Sequence, residues 1–177
     1  MPWKKPSKTK EPENLEKAYD YAVFLLSLQL RTVGEVLRKM QQRGYSEKVI
    51  TDVVERLKDQ KYLDDGRYAE IFLENLKAYR NFGFYGIKKK MMEKKLPKEL
   101  IERVLEAGLS NEDELEIGER LLAKEKFKVK KRSADEEQIT YSSYGEGNSP
   151  EQKAKQKMAN RLKSRGFRGE VIAKLLF

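Results

Sequence analysis

Residues 36–57 read VLRKMQQRGYSEKVITDVVERL, and this stretch carries the pattern that decides the fold. After the glycine, apolar residues recur at spacings of one, three and four, at Val49, Ile50, Val53, Val54 and Leu57. This spacing lines one face of an α-helix and does not fit the strict alternation of a strand, so it predicts a helix despite the β-branched side chains. A helix, a tight turn and a second helix are the predicted local structure.

The segment before the glycine predicts the other helix of the pair, with apolar residues at Val33, Val36, Leu37 and Met40. Gly44 is placed to end that helix in the left-handed conformation, and Ser46 is placed as the N-cap of the next one. Upstream, a further apolar stripe consists of Ala18, Tyr19, Ala22, Leu25 and Leu26. The region therefore predicts a unit of three helices.

The apolar pattern of this unit recurs twice along the chain. The reference positions are Val36, Met40, Tyr45, Val49, Ile50, Val53 and Val54. A shift of 51 residues places them on Ile87, Met91, Leu96, Leu100, Ile101, Val104 and Leu105. A shift of 122 residues places them on Met158, Leu162, Phe167, Val171, Ile172, Leu175 and Leu176, and it places Gly44 on Gly166, which is expected to end its helix in the same left-handed conformation. Every reference position stays apolar, so the sequence predicts an all-α protein of three tandem three-helix, helix-turn-helix-like repeats.

The predicted organisation has four parts. Residues 1–13 form a flexible basic N-terminal tail, residues 14–62 repeat 1, residues 63–109 repeat 2 and residues 110–177 repeat 3. Within repeat 3, residues 128–150 are predicted to be an inserted loop, because a basic run, an acidic run and a Ser/Tyr/Gly-rich run interrupt the helical pattern. The alternative for that segment is a β-hairpin, with strand-forming residues at 138–144 and a turn at residues 145–147.

The composition argues against most catalytic chemistry. The chain has no cysteine and no histidine, which removes thiol nucleophiles, imidazole metal ligands and histidine acid–base catalysis. No phosphate-binding glycine loop or nucleophile elbow is found. We therefore expect a protein that is not an enzyme and that uses no cofactor and no metal. Because the chain has no signal-peptide pattern and no stretch of roughly 20 apolar residues, we also expect a cytoplasmic protein without membrane contact.

The charge points to a polyanionic or acidic partner. Lys and Arg number 38 against 29 Asp and Glu, which gives a net charge of +9. The excess is concentrated in residues 77–95 and 151–177. Such a field favours nucleic acid or an acidic protein surface, although Lys/Glu-rich helices can also be basic simply because they are solvated.

Particular basic side chains are candidates for contact with that partner. Under the two shifts, Lys39, Lys90 and Arg161 occupy equivalent positions at the solvent edge of the second helix, and Arg38, Lys89 and Lys157 point more directly outward. Arg43, Lys94 and Arg165 form a second equivalent set in the last helical turn. For this second set, favourable interaction with the helix dipole is the preferred interpretation.

Two other groups of residues need a functional and a structural interpretation. Phe82, Phe84 and Tyr85 lie beside basic residues and are possible aromatic contacts, since single-strand binders stack bases on such rings. Asp64 and Asp65 resemble an acid–base or metal pair, but without histidine or further ligands the preferred interpretation is that one of them caps the helix beginning near Gly66.

Several short motifs, taken in order, resemble the RecX family of regulators. Arg43-Gly44-Tyr45 with Ile50 resembles the RGF/Y-x-x-x-x-I signature, and residues 62–69, YLDDGRYA, are similar to the family's L-(D/N)-D-x-R-(F/Y)-A segment. Arg80 to Gly83 with Ile87 resembles its R-x-x-G-x-x-x-I element, and residues 163–172 repeat the RGF-type turn. Lys95 departs from the pattern because the other units have glycine there. The resemblance covers residues 15–177.

The resemblance implies an elongated, curved molecule that binds in the groove of the RecA–DNA filament and acts mainly as an inhibitor. It implies RecA as the partner, limits on strand exchange, ATP hydrolysis and filament growth, and a monomeric regulator with at most weak direct DNA contact. The alternative, on the charge alone, is a sequence-independent nucleic-acid-binding protein that acts without RecA. A helical-repeat scaffold with neither partner is a third possibility.

Overall fold

The regular structure is helical throughout residues 8–135 and 150–177, which are the part of the chain that the computed structural model describes. Nine α-helices and no strand occur there: α1 (Leu15–Leu28), α2 (Val33–Arg43), α3 (Glu47–Asp59), α4 (Asp65–Tyr79), α5 (Phe84–Glu93), α6 (Lys98–Gly108), α7 (Asn111–Asp135), α8 (Pro150–Ser164) and α9 (Gly169–Leu176). The prediction of an all-α protein is confirmed.

The ends of α2 follow from its local sequence. Thr32 and Glu35 form a capping box, in which the Thr32 hydroxyl accepts from the Glu35 N–H at 3.1 Å and the Glu35 carboxylate accepts from the Thr32 N–H at 3.4 Å. Gly44 ends the helix with φ of +92°, and Gly166 ends α8 with φ of +79°. Both glycines thus adopt the predicted left-handed conformation, which glycine tolerates without steric cost.

The beginning of α4 confirms the capping interpretation of the two aspartates. The Asp64 carboxylate accepts a hydrogen bond from the Arg67 N–H at 3.0 Å, so Asp64 caps the helix that starts at Asp65. Asp65 instead accepts from the Val33 N–H at 2.8 Å, at the first turn of α2. Both carboxylates therefore satisfy helix N-termini.

Helix α7 is longer than the sequence suggested. It continues through residues 128–135, which were assigned to the inserted loop, and that part of the assignment was wrong. The physical reason is that residues 124–134 contain neither glycine nor proline and are mostly good helix formers, so nothing stops the helix where the apolar pattern fades. Residues 136–149, with most of the proposed hairpin, lie outside the described part of the chain.

Residues 8–13, which were predicted to belong to a flexible tail, form hydrogen bonds with the turn between α2 and α3. The Thr9 N–H donates to the Arg43 carbonyl at 2.7 Å, and the Ser46 N–H donates to the Pro12 carbonyl at 3.1 Å. The Ser46 hydroxyl also donates to the Glu13 carboxylate at 2.8 Å. Residues 8–13 therefore lie against the turn between α2 and α3, because the carbonyls at the end of α2 need donors from elsewhere in the chain.

Two compact units make up the chain. The first comprises Met1–Phe72 with Lys90–Arg103, and the second comprises Leu73–Lys89 with Val104–Phe177. The core of the first unit is formed by apolar side chains of α1, α2 and α3, including Ala18, Ala22, Val36, Met40, Val53 and Leu57. Buried apolar side chains of the second include Leu73, Ile87, Leu105, Ile117, Leu121, Leu162, Phe167 and Val171. The repeat boundaries at residues 62/63 and 109/110 remain a prediction from the sequence.

Candidate partner-binding surface

In the first unit, the candidate cations lie on α2 and α5 at different depths. Arg38 is exposed on α2, whereas Lys39 beside it is half-buried. Lys90 on α5 is also half-buried, and its ammonium lies 2.7 Å from the Glu93 carboxylate one turn further along. Arg38 is therefore the side chain of the three best placed to meet a partner.

In the second unit, the candidate cations are Lys89 on α5 and Lys157 and Arg161 on α8. All three are exposed. The Arg161 guanidinium lies 3.4 Å from the Glu125 carboxylate of α7, which neutralises part of its charge. Of the six predicted cations, Arg38, Lys89 and Lys157 combine exposure with the outward position that the helical wheel indicated.

The three candidate aromatic residues differ in what covers them. The Arg165 guanidinium lies 5.2 Å from the centre of the Phe82 ring, and the Arg168 guanidinium lies 5.1 Å from that of Phe84. Tyr85 packs edge to face on Phe84, with ring centres 5.3 Å apart, and remains 60% exposed. Tyr85 is consequently the member of this set that offers an open ring face.

The equivalent residues Arg43, Lys94 and Arg165 contact neighbouring side chains, and their interaction with the helix dipole stays a prediction. Arg43 and Arg165 lie over the rings of Tyr21 and Phe82 at 5.5 and 5.2 Å. The Lys94 ammonium lies 3.3 Å from the Glu35 carboxylate and 5.8 Å from the centre of the Phe72 ring. Burial alone would lower the pKa of Lys94, but the neighbouring Tyr68 and Glu35 raise it above its ordinary value, so this lysine stays charged.

Two of these positions, Lys94 and Arg165, also mark helix-end contacts that sequence reasoning missed. In the first unit, the Thr32 hydroxyl at the start of α2 donates to the Lys94 carbonyl at the end of α5 at 2.6 Å. In the second unit, the Gly83 N–H at the start of α5 donates to the Arg165 carbonyl at the end of α8 at 3.1 Å. Thr32 and Gly83 are 51 residues apart, as the repeat requires, so the two contacts lie at equivalent positions, with a side-chain hydroxyl as the donor in one and a backbone N–H in the other. We call each of them a helix-end junction.

Close approach of the two backbones defines each junction. A Cβ added to Gly34 would lie 2.5 Å from the Lys95 Cβ and 2.7 Å from its carbonyl oxygen. Lys95 itself adopts φ of +62°, so it takes the left-handed conformation of the glycines at its equivalent positions. At the other junction a Cβ on Gly166 would collide with the backbone of Tyr85 and Gly86. A glycine on one side of each junction is therefore a steric requirement.

Glu114 is a buried residue that accepts hydrogen bonds from both sides of the helix-end junction in the second unit. Its carboxylate is fully buried and accepts from the Phe84 N–H at 3.0 Å, the Arg168 N–H at 2.9 Å and the Arg168 side chain at 2.5 Å. It thus serves the N-termini of α5 and α9 together. Nothing in the local sequence marks this residue, because its partners are 30 and 54 residues away.

Two further carboxylates, those of Asp65 and Asp113, have structural roles at helix N-termini. Burial raises the pKa of Asp65, whose carboxylate accepts the Val33 N–H. Burial would also raise the pKa of Asp113, but hydrogen bonds from Ser110 and Lys77 lower it overall, and Asp113 and Ser110 cap each other at the start of α7. Among the residues that the structure describes, no group of three metal-ligating side chains comes together and no helix is long and apolar enough to cross a membrane.

These features define a class of basic, all-helical proteins, with candidate cations exposed on α2, α5 and α8. Residues 18–57 match the family model described as "RecX, first three-helix domain". The chain belongs to the RecX family, as the sequence motifs indicated.

Similarity to known proteins extends over most of the chain. It is 28% identical over 157 residues to the regulatory protein RecX of Trichlorobacter lovleyi, covering 89% of this chain and 92% of the relative. The chain is 31% identical over 121 residues to that of a Geobacillus strain, covering 68% of this chain but only 44% of the relative. The crystal structure of RecX from Lactobacillus salivarius has the same fold, with a TM-score of 0.72 at 24% identity over 91% of this chain and 93% of that one.

Proposed function

We propose that the chain regulates the RecA recombinase, mainly as an inhibitor, by binding in the groove of the RecA–DNA filament as a monomer. Bound there, it limits strand exchange, ATP hydrolysis and filament growth. Because such filaments form on chromosomal DNA, the proposal implies a cytoplasmic protein. The proposal also implies that the protein itself catalyses no reaction.

The observation that carries this proposal is the membership of the RecX family together with exposed cations on the helices α2, α5 and α8. Arg38, Lys89 and Lys157 are exposed on these helices, and the net charge of the chain is +9. A filament of protein and nucleic acid presents phosphates and acidic side chains, and complementary charge increases both the rate and the specificity of docking.

A charge-reversal variant tests the proposal directly. Arg38→Glu, Lys89→Glu and Lys157→Glu together remove the three outward cations, and we expect inhibition of RecA-promoted strand exchange to be lost. Helix content and melting should stay close to the wild type, because exposed helix charges contribute only about 0.2–0.5 kcal/mol per pair. Strand exchange over a salt series, with circular dichroism in parallel, is the measurement.

The matched control reverses three exposed lysines on α3, α6 and α9, with Lys48→Glu, Lys98→Glu and Lys174→Glu. This variant has the same net charge but keeps the outward cations, so it should inhibit almost as well as the wild type. If both variants inhibited equally strongly, the three cations would have no part in the mechanism. Failure of the wild type itself to bind RecA filaments would contradict the proposed function.

A second candidate function is sequence-independent binding of single-stranded nucleic acid without RecA. It is favoured by Tyr85, which is 60% exposed and one helical turn from the exposed Lys89. An open ring beside a cation is the arrangement on which bases stack. Tight, strongly salt-dependent binding of naked single-stranded DNA, reduced in Tyr85→Ala, would favour this candidate over the first.

A further inference from the structure

A groove in the first unit brings together three exposed apolar side chains, those of Leu30, Tyr62 and Ile71. It has a volume of about 210 Å³ and is lined by Leu30 and Arg31 between α1 and α2, by Lys61, Tyr62 and Asp64 between α3 and α4, and by Arg67, Tyr68 and Ile71 of α4. We call it the α1–α4 groove. None of its residues belongs to the candidate cations on α2, α5 and α8, so it is a separate surface.

The walls of the α1–α4 groove are apolar and open to solvent. Leu30 is 65% exposed, Tyr62 61% and Ile71 41%. Apolar side chains that are exposed singly are ordinary on protein surfaces. Exposed apolar side chains that cluster in one groove are instead typical of binding surfaces. The volume is below the roughly 300–1,000 Å³ of small-molecule sites, so it suits one or two inserted side chains rather than a cofactor.

The backbone around the groove is held in place before any partner arrives. Lys61 adopts φ of +61°, and the N–H groups of Tyr62 and Leu63 both donate to the Leu57 carbonyl, at 2.9 and 3.2 Å. Arg31 donates from Nε to the Leu25 carbonyl at 3.1 Å, which fixes the opposite wall. A preformed groove loses little conformational entropy on binding, which favours affinity.

The charge of the rim identifies the chemistry of the occupant. Arg31, Lys61 and Arg67 contribute three cations, whereas Asp64 is the single acidic residue that lines the groove, and it is engaged in capping α4. The complement of this rim is an acidic chain. Tyr62 and Tyr68 also line the groove, but Leu30 and Ile71 give it aliphatic walls, which suit a bulky apolar side chain better than the flat face of a base.

We infer that the α1–α4 groove binds an acidic segment of the partner protein that inserts a large apolar side chain between Leu30, Tyr62 and Ile71. The inference rests on the proposed function, since it assigns the protein component of the RecA–DNA filament, not its DNA, to this groove. It adds a second contact to the cationic faces of α2, α5 and α8.

A pair of matched variants tests the apolar part. In the full chain, Leu30→Gln with Ile71→Gln removes two walls of the groove, and Phe24→Gln with Leu28→Gln removes two exposed apolar side chains of the same unit outside it. Binding to preformed RecA filaments on single-stranded DNA should weaken about tenfold for the groove variant and less than about twofold for the control, as expected for truncation of an interface anchor. Circular dichroism and thermal melting establish that both variants are folded.

A second pair tests the charge of the rim. Arg67→Glu and Lys48→Glu each reverse one exposed cation in the first turn of a helix, α4 and α3 respectively. The first should weaken filament binding and reduce its salt dependence, and the second should leave both unchanged. Equal effects of the two substitutions would overturn the assignment of an acidic occupant.

Cross-linking identifies the occupant. A benzophenone amino acid at position 62, activated by light in the filament complex, should attach to a peptide of the partner protein that contains acidic residues beside a large apolar one. Attachment to the DNA strand alone would overturn the inference. If the wild type bound filaments and the groove variant bound equally well, the groove would be excluded while the proposed function stood; if the wild type did not bind filaments, both would fall.

Discussion

At the scale of single residues, Glu114 shows what the sequence could and could not reveal. Asp64 was recognisable as a cap because its partner, Arg67, is three residues away. Glu114 joins Phe84 and Arg168, so its role depends on a chain path that no local pattern records. Residues with local partners are predictable from spacing, and residues whose partners come from other helices are not.

Replacing Glu114 should destabilise the second unit. Glu114→Ala leaves the Phe84 and Arg168 N–H groups and the Arg168 guanidinium without their acceptor, and removing one partner of such a buried pair costs about 3–5 kcal/mol. Glu114→Gln keeps a hydrogen-bond acceptor of the same shape and should cost less. Urea unfolding followed by circular dichroism gives both values, and Glu116→Ala, at an exposed position of the same helix, is the control. Equal stability of Glu114→Ala and this control would contradict the assigned role.

At the scale of helices, the repeat pattern predicted most elements and their turns but not how their ends meet. The apolar spacing placed α1, α2 and α3, and the glycines at positions 44 and 166 end their helices as expected. The helix-end junctions were not predicted, because each joins groups that are more than 60 residues apart in the sequence and each accepting group is a backbone carbonyl, which every residue carries. The glycine at position 34, which approaches Lys95, was the available signal, and its meaning requires the structure.

Substitutions at the left-handed positions should differ in a defined order. Gly44→Val suffers mainly the backbone strain of about 1–2 kcal/mol, since a Cβ there meets its nearest neighbour, Lys8, only at 3.7 Å. Gly166→Val should cost clearly more, because its side chain also collides with the backbone of Tyr85 and Gly86. Thermal melting of the two variants measures the order. Equal losses would mean that the junction is not tightly packed in solution.

The same argument predicts a stabilising substitution at Lys95. Because Lys95 has φ of +62°, Lys95→Gly removes left-handed strain of about 1–2 kcal/mol and adds a smaller entropic cost of about 0.5–1 kcal/mol. The melting temperature should therefore rise. Lys89→Gly, inside the preceding helix α5, should lower it, because glycine there costs about 1 kcal/mol in helix propensity. A fall in both variants would contradict the account of the junction.

At the scale of the whole molecule, compact units and sequence repeats divide the chain differently. Residues 73–89 and 104–109 of the predicted second repeat fall in the second unit, while residues 63–72 and 90–103 fall in the first. Each unit contains one helix-end junction, at Thr32 with Lys94 and at Gly83 with Arg165. The repeat describes the order of helices along the chain, and the junctions join helices of successive repeats.

Removing residues 150–177 should affect the two units unequally. The second unit would lose the buried side chains of Leu162, Phe167 and Val171 and the guanidinium that pairs with Glu114, whereas the core of the first unit contains no residue from this segment. Hydrogen–deuterium exchange should become fast at Phe84 and along the start of α7 and stay slow in α2 and α3. Removal of Phe177 alone, which is 89% exposed, is the control. Unchanged protection at Phe84 after the larger truncation would refute this division.

Thr9 does for α2 what Thr32 does for α5 and Gly83 for α8. Its N–H satisfies the Arg43 carbonyl, at the position equivalent to Lys94 and Arg165, and the Lys8 side chain approaches Gly44 at ordinary contact distance. Stacked repeat proteins require a cover of this kind, because an open end is a template for the next unit. The Lys8–Thr9 segment therefore works as an end cap: it occupies the end of α2, which would otherwise present an unpaired carbonyl to a second molecule in the way that α5 and α8 present theirs to a neighbouring helix.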